Sequence, residues 1–270
     1  MTHLCGHNFA RLCDGVFHRE IGIPAGRVIW CKTDDVRRLF RIAAQMPSRS
    51  FVVVTGDSDL RITAEGMQVA PPNIQAWWGV NVDVDDRRVH ALPLGIANPS
   101  IKHGNFNALM EAARLPKSAR PLYCCHSIYS NRAERIEPYR VFRKRDWATV
   151  EGGKYTTLRA NWMEIDFSQY VRRLRRHRFV VCPPGNGPDT HRLWEALYLR
   201  TIPICRPSKA LIPFVSRGLP IALVEDWNDV TPSWLDRIER DLDPRWQNVQ
   251  PLLEAEFWID RIHHREGDAV

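Results

Sequence analysis

The sequence predicts an α/β protein in which strand and helix alternate through two successive halves. Three observations carry this. The run Phe51-Val52-Val53-Val54-Thr55 is apolar on both faces, as a strand in a parallel sheet covered by helices must be. Runs of this kind alternate with segments whose apolar residues recur at helical spacing. Between the halves, residues 116–121 are polar, bounded by Pro116 and Pro121, and free of periodic apolar positions, so they read as a linker. The expected domains are 1–118 and 119–270.

In the first half, residues 28–31 read as a strand, and Asp34 or Asp35 can cap a helix carrying Val36, Leu39, Phe40 and Ala43. The 51–55 strand ends in Gly56-Asp57-Ser58-Asp59. Ligands of open α/β sheets bind beyond the carboxyl ends of strands, so Asp57 and Asp59 are site candidates; turn formation and helix capping are their other reading. A strand follows at 74–78. Asp83-Val84-Asp85 could hold a divalent metal through carboxylate oxygens, although Asp86-Arg87-Arg88 after it suits a polar turn better. A strand at 89–96 runs into a hydrogen-bonding loop, 97–105, whose one imidazole, His103, can act as a base near neutral pH. A helix over 106–115 closes this half.

The second half begins with a strand at 122–125. Ser130-Asn131-Arg132 leads into a helix over 133–142, with Arg132 and Arg135 near its start, where guanidinium groups can clamp a phosphate or simply lie exposed. A short strand at 148–150 precedes a polar loop. Arg172-Arg173-Leu174-Arg175-Arg176-His177-Arg178 reads as a surface helix whose arginines favour its own C-terminal dipole end, with Tyr170, Val171 and Leu174 as the apolar stripe.

The most informative stretch is 180–197. A β-branched run stops at Pro183-Pro184, turns through Gly185-Asn186-Gly187, and resumes at Asp189 with a helical pattern. Backbone N–H groups at a helix start attract anions, and glycine lets a ligand approach the backbone. His191, Arg192 and Glu195 fall in the first two turns. A plain strand-to-helix connection with Asp189 as N-cap fits the same local pattern. Strands follow at 201–205 and 219–224 with a short helical turn at 210–214 between them. A helix capped by Asp229 or Thr231 comes next, and an apolar-periodic tail from Trp246 to Ile262 is expected to pack back across the fold. Residues 263–268 read as a solvated end.

Composition is that of a globular protein: 44% hydrophobic and 26% charged, with net charge +7 and pI near 9.2, which favours anionic partners. The first residues lack the apolar core of a signal peptide, and no stretch approaches the roughly 18 apolar residues that span a bilayer, so a cytoplasmic location is expected. The seven Cys form no C-x-x-C pair and read as reduced thiols; Cys5, His7, Cys13 and His18 match no common zinc spacing.

Residues 179–197, with Ile202-Pro203-Ile204, Leu219-Pro220-Ile221 and Glu225-Asp226-Trp227, closely resemble exostosin-like glycosyltransferases of the GT-B fold. Gly56-Asp57-Ser58-Asp59, residues 92–98 and His103-Gly104-Asn105 add a weaker likeness. The resemblance implies two Rossmann-like domains facing across a cleft, with a sugar nucleotide held mainly by the C-terminal one and an acceptor by the N-terminal one. It assigns Glu195 to the ribose hydroxyls, Arg192 and the Gly185-Asn186-Gly187 loop to the diphosphate, and Arg132 or Arg135 to the leaving phosphate, with Asp189 and His191 in the same segment. The sequence departs from the family at Arg200-Thr201, where a small residue, often glycine, is usual, so the turn after the helix is expected to be built differently.

The expected activity is therefore metal-independent transfer of a sugar from a nucleoside-diphosphate sugar to a carbohydrate or other hydroxyl acceptor, with no separate cofactor. If transfer inverts the anomeric centre, Asp57, Asp59 and His103 are the candidate bases. Nucleic acid is not an expected partner, and any membrane association is expected to be peripheral. Three alternatives stay open: a metal-dependent GT-A transferase using Asp83 and Asp85, a non-enzymatic basic module for nucleic acid or anionic surfaces, and a degenerate transferase without turnover.

Overall fold

The computed structural model describes residues 2–101, 103–151 and 165–264. The chain forms two compact units, Met1–Gly95 with Ser208–Pro213 and Pro251–Val270, and Ile96–Pro207 with Phe214–Gln250. Each is an α/β layer built on a five-stranded parallel sheet, as the alternating pattern predicts.

In the first unit the strands β1 (Gly15–Val16), β2 (Val28–Lys32), β3 (Phe51–Gly56), β4 (Ile74–Gly79) and β5 (Val89–Ala91) lie side by side in chain order. Every residue of β3 is buried, which is why its sequence shows no alternation. Helix α2 (Val36–Ala43) buries Val36, Leu39, Phe40 and Ala43, the stripe its spacing announces. A short helix, α1 (Gly6–Leu12), has no side-chain cap and only Asn8 and Phe9 buried, so it carried little sequence signal. A further short helix, α3 (Ala64–Gln68), is capped by Thr63. The C-terminal helix Ala255–His264 returns to this unit and packs on α1. The Ala255 N–H donates to the Thr2 carbonyl at 2.8 Å, and Trp258 and Ile262 are buried.

The second unit holds β6 (Arg120–Cys125), β7 (Ala148–Glu151), β8 (His177–Val181), β9 (Ile202–Cys205) and β10 (Ala222–Leu223) in the order β10-β9-β8-β6-β7. Its helices are α4 (Phe106–Ala113), α5 (Arg132–Phe142), α6 (Phe167–Arg175), α7 (His191–Tyr198) and α9 (Pro232–Leu242), the last capped by Thr231; the short α8 (Ile212–Ser216) spans the junction of the two units in the chain. Leu122, Phe142, Phe179, Ile204, Trp227 and Leu235 form its core. The polar loop expected after residue 151 and the final residues lie outside the described residues.

Two local expectations change. The stretch 116–121, read as a linker, lies inside the second unit, and its last two residues open β6. Helix α4 also belongs there, because its buried Ala108, Leu109 and Ala112 pack toward α6 and α7. The turn after α7 closes as an ordinary helix end. Arg200 takes the left-handed conformation, φ 51°, that glycine usually supplies. Its N–H donates to the Leu197 carbonyl at 3.0 Å and the Thr201 N–H to the Ala196 carbonyl at 2.9 Å, the paired bonds of a Schellman turn. Lys117 secures that turn by donating to the Arg200 carbonyl at 2.6 Å and to Thr201 Oγ1 at 2.7 Å.

Candidate anion site at the strand-order reversal

Strand β6 has β7 on one side and β8 on the other, so the strand order reverses between β6 and β8. In open α/β sheets the crevice beyond the carboxyl ends of such a strand pair is where ligands bind. Here that position is occupied by residues 126–131 after β6, residues 182–190 after β8, and the first turns of α5 and α7.

The two loops are tied together by side chains of α5. Asn131, the N-cap of α5, accepts from the Glu134 N–H and donates its amide to the Gly185 carbonyl at 2.8 Å. Arg135 is buried; its Nε donates to the Pro184 carbonyl at 2.8 Å and its Nη1 to the Ser127 carbonyl at 2.9 Å and to Ser130 Oγ. A Cβ on Gly185 would fall 2.9 Å from Arg135 Nη2. Neither Gly185 nor Gly187 has positive φ, so at Gly185 the missing side chain makes room for a guanidinium of the protein itself. Arg135 thus braces the loop. Burial, and then the neighbouring Arg192, lower its pKa to about 10, which leaves it charged at neutral pH.

Arg192 lies in the first turn of α7, half-buried, with its guanidinium 5.9 Å from the centre of the Tyr170 ring. Its Nε is enclosed and makes no hydrogen bond among the described residues. Burial opposes its charge, and the Glu195 carboxylate is among the neighbours that pull the other way, so the guanidinium stays protonated. Glu195, one turn on, is only 5% exposed and accepts from the Tyr170 hydroxyl at 3.0 Å. Burial raises its pKa, against the opposing pull of Arg192 and His191. His126 completes the group. Its Nε2 lies 2.9 Å from the Arg135 carbonyl, so that nitrogen carries the proton, and burial plus Arg192 push its pKa down to about 3.

The other expected residues fall in defined places. Asp189 is buried and receives the Trp194 indole N–H on both carboxylate oxygens, at 2.9 and 3.0 Å; Thr190, not Asp189, is the N-cap of α7. His191 opens α7, Asn186 is exposed at the tip of the loop, Gly187 is buried, and Arg132 is exposed at the first position of α5. His103, expected with the first half, belongs to the second unit, where its ring lies 6.3 Å from that of Phe167. Phe167 in turn lies 6.1 Å from Tyr170, so a row of rings runs from His103 toward Glu195 and Arg192. Asp57 and Asp59 are in the first unit. Asp57 has φ 52° and its carboxylate lies against Gly6, where a Cβ would meet Oδ1 at 2.0 Å, whereas Asp59 is exposed.

Asn131, His126 and Tyr170 were not singled out as site residues. Only Asn131 had a usable signal, an Asn followed three residues later by Glu at a helix start. Around the site Cys124 and Cys205 are buried thiols and Cys125 a partly buried one, Cys124 and Cys125 raised first by burial and Cys205 by its hydrogen bond with Cys182, so they stay protonated. Asp83 pairs with Arg61 at 3.0 Å and Asp85 with Lys209 at 2.6 Å, and no group of three or more potential metal ligands occurs among the described residues. Among the described residues no helix is long and apolar enough to cross a membrane.

No protein-family model matches the chain, and no curated protein sequence matches it. Among solved structures, it is similar to an alpha,alpha-trehalose-phosphate synthase (UDP-forming) from Burkholderia vietnamiensis, at 9% identity over 88% of this chain and 70% of that one, with a TM-score of 0.49.

Proposed function

We propose that the protein is a glycosyltransferase, with the nucleoside diphosphate of its donor held by the second unit. The observation that carries this reading is Arg192. A charged guanidinium stands at a helix start and a strand-order reversal, with an enclosed Nε that no described residue bonds. Breaking the bond between an anomeric carbon and a diphosphate builds negative charge on the leaving oxygen, and fixed donors lower the barrier by meeting that charge. Arg192 and the first N–H groups of α7 are such donors.

In this reading Arg135 positions the Pro184 carbonyl and Asn131 the Gly185 carbonyl, Arg135 adds positive field, and exposed Arg132 is free to swing onto a phosphate. The Tyr170 ring lies 5.9 Å from the Arg192 guanidinium, and Glu195 adds an electrostatic pull on it. The ribose role implied for Glu195 would use a carboxylate already engaged by Tyr170 on one oxygen. For the base, Asp59 and His103 fit better than Asp57, whose carboxylate is packed at the start of α1. The GT-B arrangement, exostosin-like kinship and independence of metal belong to the same proposal. The pairing of Asp83 and Asp85 with cations weighs against a metal-dependent GT-A site. Engagement of Arg173 by Glu151, Arg175 by the Leu115 and Leu199 carbonyls, and Arg178 by Asp236 and Glu239 weighs against a free basic surface; the helix expected through residue 178 ends at Arg175, and Arg178 lies on β8.

Calorimetry with uridine and guanosine diphosphates and their sugar conjugates tests the reading. Saturable binding that Arg192→Met abolishes is expected. A parent protein that binds none of these ligands overturns it.

A further inference from the structure

The first unit contains a cavity that the reading above does not use. It has a volume of about 210 Å³ and lies toward the amino ends of β3, β4 and β5, the end of the sheet opposite Asp57 and Asp59. Val52, Ala76 and Trp78 supply apolar wall from the sheet, Ile262 from the C-terminal helix, and Arg27, Gln75, Arg87 and His90 supply polar groups. All belong to the same unit. Among the described residues no acidic side chain lines it.

Arg27 is the informative group. Its main chain is fully used: the N–H donates to Asp14 Oδ2 at 2.8 Å and the carbonyl accepts from the Val52 N–H at 2.9 Å. Its side-chain Nε and Nη2 are enclosed and make no hydrogen bond among the described residues. The Asp14 carboxylate accepts from the backbone N–H groups of Arg27 and Val28 through Oδ2, both at 2.8 Å, and also feels the Arg27 charge. Asp86, next to Arg87 in sequence, is bound by the N–H of Arg88 at 2.8 Å and lies 3.5 Å from its Nε. Enclosed donors without acceptors cost free energy of about 1–3 kcal/mol each, more when charged, so a cationic cavity of this kind is complete only with an anion or water in it. Across the cavity the His90 ring stacks on Trp78, 4.5 Å between centres and 30° from parallel, which fixes the imidazole at the wall.

We propose that this cavity binds a small phosphorylated ligand, its phosphate held by Arg27 and Arg87 and its carbon skeleton against Trp78, Val52 and Ile262. Two guanidinium groups match a dianion, and their planar N–H forks suit phosphate oxygens bidentately. The volume is below the range of about 300–1,000 Å³ common for drug-sized ligands, which restricts the occupant to a phosphate with a short carbon skeleton. The site is independent of the diphosphate site in the second unit.

Titration of the full chain with inorganic phosphate and with glycerol 3-phosphate, at constant ionic strength set by sodium chloride and followed by thermal shift and tryptophan fluorescence, tests the assignment. Saturable binding is expected that survives in Arg192→Met, weakens at least tenfold in Arg27→Met, and weakens to a lesser degree in Arg87→Met. Arg87 is exposed, so that variant carries the test if Arg27→Met does not fold. Unchanged titrations in the arginine variants of the cavity, a response that never saturates, or binding lost in Arg192→Met would each overturn the proposal. Saturation by succinate at lower concentration than phosphate would overturn the phosphate class. Failure of nucleoside diphosphate to bind the second unit leaves this result untouched.

Discussion

Both units carry a five-stranded parallel sheet with a buried central strand, yet the strands are ordered differently. β1 to β5 follow one another across the first sheet, whereas in the second β6 is flanked by β7 and β8. At a reversal the loops after two neighbouring strands leave in opposite directions and open a crevice at their carboxyl ends. In the second unit that crevice collects Arg135, Arg192 and the start of α7. In the first, which has no reversal among its described strands, the carboxyl end of β3 carries Asp57 and Asp59, and the cations gather instead around a cavity at the amino end. Similar architecture therefore places positive charge at opposite ends of the two sheets.

The sharpest way to break this comparison is a pair of substitutions. Arg192→Met is expected to weaken nucleoside diphosphate binding at least 100-fold, about 2.7 kcal/mol, while Arg27→Met leaves it within about twofold by calorimetry. Equal losses would show that one ligand engages both units.

Acid sensitivity comes next. His126 has its folded pKa lowered to about 3 from an ordinary 6.5, so its neutral, buried state adds stability above pH 6.5 that is lost as pH falls toward 3. From pH 6.5 to 5 that loss is about 2 kcal/mol, at about 1.36 kcal/mol per pH unit. His177, lowered by burial in the same unit, acts in the same direction. Urea denaturation at pH 7 and 5 should show the drop, and His126→Gln should flatten it even though its stability at pH 7 is lower.

A smaller effect is expected at the loop. Gly185→Ala pushes on Arg135 Nη2, the far end of a side chain fixed by three other hydrogen bonds, and should cost about 1 kcal/mol in denaturant midpoint together with a measurable loss of diphosphate affinity. The smallest change is Arg200→Gly. Relief of a left-handed non-glycine residue is worth about 1–2 kcal/mol, offset by chain entropy and by the lost contact of Arg200 with the Trp246 ring at 5.5 Å. A net stabilisation of less than about 1 kcal/mol, with diphosphate binding unchanged, is the expected calorimetric result.

The elements were legible wherever the signal was local. The unbroken valine run gave β3, the 36-39-40-43 stripe gave α2, and Pro-Pro-Gly-Asn-Gly between a β-branched run and an apolar-periodic segment gave the β8-to-α7 turn with Arg192 in its first turn. Helix α1 was missed because seven residues with no capping side chain and two buried positions leave almost no periodic trace. Arg200 was read from its side chain, but the turn is set by backbone hydrogen bonds that an arginine can also satisfy.

By itself the sequence determined most of the longer strands and helices, and the strand-turn-helix at 180–197 that suits an anion, because those properties depend on residues a few positions apart. Only the tertiary structure decided that β6 and β8 are neighbours, that Arg135 fills the space Gly185 leaves, that His103 lies with the second unit, and that Arg27, Arg87 and Ile262 share a cavity. These pairings join residues from about 50 to more than 200 positions apart, and burial and strand order, which no local pattern encodes, bring them together.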